Sequence, residues 1–72
     1  MYVIKIKHGK EKEYFEQGQT YSTYELKTAT QFVDEYTANL MIQDAVLQFM
    51  RGFRYGFCPE PFTVKIVAIT VL

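Results

Sequence analysis

Asp34 to Phe53, DEYTANLMIQDAVLQFMRGF, decides how this 72-residue chain folds. Asp34 is placed to cap a helix, and Glu35 to favour its positive end. At about 100° per residue, Ala38, Ile42, Ala45, Phe49 and Phe53 share one face, flanked by Met41 and Val46. The two alanines allow close approach to a sheet, so this is the expected core face. Tyr36, Leu40, Leu47 and Met50 fall nearly opposite, with Gln43 among them. Their spacing makes a second, heptad-like apolar stripe. Asp44, Gln48 and Arg51 form one polar margin; Asn39 and Gln43 form the other. Gly52 is placed to end the helix. One long helix is expected, with one apolar stripe more than a single sheet requires.

The flanks read as strands. Tyr2-Val3-Ile4-Lys5-Ile6-Lys7 alternates with a period of two, placing Tyr2, Ile4 and Ile6 on one side and Val3, Lys5 and Lys7 on the other. His8-Gly9-Lys10 supplies a turn, and Glu11 to Gln17 returns as a second strand closed by Gly18. The run Lys10-Glu11-Lys12-Glu13 reads as an alternating solvated face. Thr20 to Thr30 has two readings: a strand favoured by its Thr and Tyr content, or a short turn capped by Thr23. Gln31-Phe32-Val33 is a short strand or an extended lead into the helix. Arg51 to Pro61 is a loop by its glycines and prolines. Phe62 to Leu72 is the last strand. Both its faces are largely apolar, which predicts a central strand or one covered on both sides.

The expected fold is therefore α+β. A small, mainly antiparallel sheet of three to four strands carries one long helix on one face, in the order β-β-(β)-α-β. The whole chain, 1–72, makes one domain.

Composition narrows the function. Net charge is zero, from eight basic and eight acidic residues. A general DNA binder needs excess Lys and Arg, so nucleic acid is disfavoured. Cys58 is the only cysteine, which excludes an internal disulfide and fits a reducing, cytoplasmic setting. No signal peptide is expected, because Met1 is followed directly by a strand pattern with no basic stretch before it, and the last apolar run is too short to span a membrane. So small a chain buries a modest core, and a second chain is one way to add to it. With low net charge opposing it little, self-association is expected.

The chain resembles small, mostly uncharacterised proteins of phages and prophages in Gram-positive bacteria. The opening Tyr2-Val3-Ile4-Lys5 with Gly9, the linker residues Thr23, Leu26, Ala29 and Phe32, and Ala38 at the helix start carry the resemblance. The aromatic loop before the last strand departs from that pattern. The resemblance implies a phage accessory protein that binds and inhibits a host or defence protein. It transfers no catalytic residues.

Two surfaces stand out as candidate interfaces. Tyr36, Leu40, Leu47 and Met50 would expose an apolar patch on a monomer, and a two-fold dimer through this stripe is the simplest way to cover it. Otherwise the 20–30 segment folds over it. The loop residues Arg51, Arg54, Tyr55 and Phe57, with Phe53, combine the aromatic and Arg types found at interface hot spots. The same types stack on unpaired bases, which makes single-stranded nucleic-acid binding the alternative. The plainer reading has Phe53 and Phe57 plugging the core while the arginines face solvent. His8 and Cys58 are far apart in sequence and too few for a zinc site. No cofactor motif occurs. A non-enzymatic protein-binding module is the expected function.

Overall fold

Alternating apolar and charged residues in the first strand set up the sheet. The computed structural model describes residues 1–70. β1 (Tyr2–His8) is the central strand of an antiparallel three-stranded sheet of order β2-β1-β3. β2 (Glu11–Tyr14) returns through Gly9, whose φ of +56° suits the glycine expected there. β3 (Phe62–Ala68) pairs along the whole of β1, from Tyr2 opposite Ala68 to His8 opposite Phe62.

Ile4 and Ile6 are fully buried beneath the helices, in one cluster with Phe15, Phe32, Ala38, Ala45 and Phe49. The aromatic end of this core is built from edge contacts. Phe49 lies 5.0 Å from Phe53 and 5.1 Å from Phe62, centroid to centroid. The expected face of Ala38, Ala45 and Phe49 is thus the one buried, with Ile42 and Phe53 packed at its margin.

The single long helix is corrected to two: α1 (Glu35–Leu40) and α2 (Ile42–Met50). Met41 interrupts them, with φ −102° and ψ 3°. Its N–H bonds to the Ala38 carbonyl at 3.0 Å, one residue short of α-helical spacing. No Gly or Pro marks the break, and one tightened residue scarcely rotates the apolar face. The periodicity therefore runs through it unbroken. Asp34 caps α1 as expected, its Oδ1 accepting from the Thr37 N–H at 2.7 Å. Gly52 follows the helix end without entering the left-handed region.

β2 is shorter than expected, because the chain leaves the sheet after Phe15. Tyr14, still opposite Lys5, pairs on its other side with Thr23, and Phe32 pairs with Tyr2, so the 20–33 segment lines the β2 edge. It contains a short turn at Leu26–Thr28, and the Thr23 hydroxyl accepts from the Glu25 N–H at 3.1 Å. It leaves Leu40 and Leu47 exposed. β3 is corrected as well. It is an edge strand, and its inward residues Phe62, Val64 and Ile66 are only half-buried. Val71 and Leu72 lie outside the described residues.

Candidate functional site

The residues expected to form the outer stripe now fall into two groups. Tyr36 is 72% exposed, Leu40 62% and Leu47 51%. Met50 departs from them and packs against the core. Because Met41 interrupts the helix, Tyr36 and Leu40 stand on α1 while Leu47 stands on α2. Leu47 and Arg51 line a groove of about 330 Å³ between α2 and the turn after β2, with Phe15, Gly18, Met41 and Gln48.

Gln48 holds that groove in shape. Expected on a polar margin, it is buried instead. Its amide donates to the carbonyls of Glu16 and Gln19 at 2.7 and 2.8 Å, and its Oε1 accepts from the Glu16 N–H at 3.1 Å. These bonds replace pairing that the chain gives up on leaving the sheet after Phe15.

The aromatic loop splits in the same way. Phe53 enters the core margin, while Phe57 stays 55% exposed and plugs nothing. Tyr55 is 81% exposed. Its φ is +69°, a left-handed conformation that costs a non-glycine residue about 1 kcal/mol. The next residue, Gly56, has φ +72° and takes the same region freely. The Arg54 guanidinium lies 5.5 Å from the Tyr55 ring centroid. A strained turn thus presents an exposed aromatic ring with a cation on it.

The face of the sheet away from the helices has a separate character. Strand alternation places Lys5, Lys7, Lys12 and Lys65 there, with Tyr14 beside Lys5. Lys5 stands directly opposite Lys65, and Lys7 opposite Lys12. None of these lysines forms an ion pair among the described residues. Like charges set opposite one another are destabilising, and here two pairs occur side by side.

The expected solvated face of Lys10 to Glu13 is also corrected. Glu13 is buried, because β2 turns Glu11, Glu13 and Phe15 toward the helix side. There His8 Nε2 and Glu13 Oε2 are 2.8 Å apart, and the Ser22 hydroxyl donates to the other carboxylate oxygen. The Glu13 charge raises the Tyr24 phenol above its ordinary value, with desolvation, Glu11 and a hydrogen bond to Glu13 adding to the effect. His8 ring edges meet Phe49 and Phe53 at 4.9 and 5.5 Å. Its Nδ1 has no hydrogen-bond partner, and Glu60 Oε1 lies 3.7 Å away. The carboxylate, not the imidazole, sits between Ser22 and its neighbour. This is the reverse of a nucleophile–base–orienter order, so the cluster does not activate Ser22.

No family model, curated protein or solved structure matches this chain. Among the described residues, no helix is long and apolar enough to cross a membrane.

Proposed function

We propose that this is a non-enzymatic protein-binding module that acts by occluding an apolar surface on a partner. The observation that carries this is the concentration of exposed large side chains between Tyr36 and Phe57: Tyr36, Leu40, Leu47, Tyr55 and Phe57. A small domain gains nothing in stability from displaying them, and such patches mark interaction sites. Tyr55 is the proposed anchor, because a strained backbone conformation persists where presentation of a side chain matters. The resemblance to phage accessory proteins fits an inhibitor of a host protein.

Self-pairing through the stripe is a weaker prospect than its heptad spacing suggested. The withdrawal of Met50 into the core shortens the seam to Tyr36, Leu40 and Leu47. The test uses three forms of the protein: wild type, Leu40→Glu with Leu47→Glu, and Tyr55→Gly. A partner recovered by wild type, lost by both variants and reconstituted from purified components supports the proposal. A partner that both folded variants hold as tightly as wild type rules out this surface.

A second reading rests on the lysine face. Lys5, Lys7, Lys12 and Lys65 beside Tyr14 suit the backbone and bases of a single strand, and Arg54 and Tyr55 offer a further stacking pair. Oligonucleotide binding that weakens with salt and is lost in Lys5→Glu with Lys65→Glu would establish it. Absence of binding at low salt removes it.

A further inference from the structure

β3 presents an open edge whose hydrogen-bonding groups can be assigned residue by residue. The Ile69 N–H donates to the Met1 carbonyl at 2.9 Å. In an antiparallel ladder the bonded pairs alternate, so Val3–Val67, Lys5–Lys65 and Lys7–Thr63 are the bonded pairs between β1 and β3. The other side of β1 confirms this phase. Tyr2 exchanges both bonds with Phe32 there, and Ile4 accepts from the Phe15 N–H. The backbone groups of Phe62, Val64, Ile66 and Ala68 therefore point away from β1. Among the described residues nothing pairs with them.

The core is incomplete along the same edge. In the middle of the sheet Ile4 and Ile6 are fully buried, whereas Phe62, Val64 and Ile66 at the margin of the same core are only half-buried. Pro61 precedes the strand, and no proline or glycine interrupts it. Lys65 is its one charged residue, and edges left long and apolar recruit a further strand.

We propose that β3 pairs antiparallel with β3 of a second copy, joining two sheets into one of six strands. A second copy fits because the contact is self-complementary about a two-fold axis. A two-fold centred on Lys65 would set that lysine against itself. A two-fold centred on Ile66 sets it against Val67 of the second copy and keeps Phe62, Val64, Ile66 and Ala68 in bonding positions. The pairing extends the inner face and covers its half-buried side chains. Its hydrogen bonds use neither the helix stripe nor the aromatic loop.

Light scattering and amide exchange test this together. Wild type is expected at twice 8.5 kDa at high concentration. The Val64 and Ile66 amides should then exchange about as slowly as those of Lys65 and Val67. On dilution to monomer they should speed up at least about tenfold, leaving an alternating pattern along the strand. Ala68→Pro removes an outward N–H without touching the β1 ladder, and it should stay folded and become monomeric. Leu40→Glu with Leu47→Glu should remain dimeric. A wild type that is monomeric at millimolar concentration overturns the proposal. So does a dimer in which the Val64 and Ile66 amides exchange fast, or one dispersed by the Leu40 and Leu47 changes. Should Ala68→Pro unfold, the dilution series on wild type decides the matter alone.

Discussion

Tyr55 combines exposure with a backbone conformation that favours glycine. Tyr55→Gly should therefore stabilise the fold by up to about 1 kcal/mol, measured by chemical denaturation, while removing the ring from the surface. A loss of stability on that change would show the ring to be part of the packing. Asp34 makes a different kind of claim. The Thr37 backbone N–H holds its carboxyl below the usual carboxylate range. Its charge thus favours the fold at pH above the unfolded value of 3.8, and that contribution fades as pH falls through the lower folded value. Asp34→Asn should leave a neutral cap and flatten the acid limb of a melting curve recorded against pH. Glu13 anchors a buried polar cluster. Glu13→Ala leaves His8 Nε2 and the Ser22 hydroxyl without their partner and should cost about 1–3 kcal/mol, whereas His8→Phe with Glu13→Leu recovers most of it. Thermal melts of both variants check the pair.

At the level of elements, exposure separates the two apolar stripes of the helical segment. Leu40 and Leu47 project outward, so each change to Glu should alter stability by no more than about 0.5 kcal/mol in a denaturant titration. Ala45→Leu on the buried face should instead overpack the core and destabilise. Much of this was legible in the residues. The Tyr2 to Lys7 alternation, the Gly9 turn, the Asp34 cap and the Ala38-Ala45-Phe49 face all carry local signals. The break at Met41 carries none, because periodicity survives a single tightened residue. β3 was misplaced because an apolar outer side chain looks the same whether a layer covers it or an edge leaves it open. Glu13 was misread because only strand phase, set by Phe15 two residues on, reveals that it turns inward. Gln48 gave no signal, since its partners are backbone groups about thirty residues away.

Across the whole molecule, neutrality hides an uneven distribution of charge. The lysines collect on the open sheet face, while Glu13 and Glu60 sit near His8. Lys65→Thr should relieve the opposition with Lys5 and raise stability by about 0.2–1 kcal/mol, more at low salt than at high. Equal effects at both ionic strengths would mean that repulsion is not the cause. The same distribution explains why net charge alone argued against a polyanionic ligand: a sum of zero says nothing about which face holds the cations. The exposed side chains from Tyr36 to Phe57 lie on the helical segment and the loop after it, whereas the open edge is the backbone of β3. A partner and a second copy would thus engage different groups.

The central position of β1 also orders events in time. Of the three strands β1 is synthesised before both of its neighbours, and its longest pairing waits for β3. Until Phe62 to Ala68 arrive, one edge of Val3, Ile4 and Ile6 stays open, and only the β2 hairpin can form early. The slow step of folding is then the closure of a loop nearly as long as the chain, a high-contact-order event despite the protein's size. During that wait the chain is most exposed to a stray strand from a neighbour.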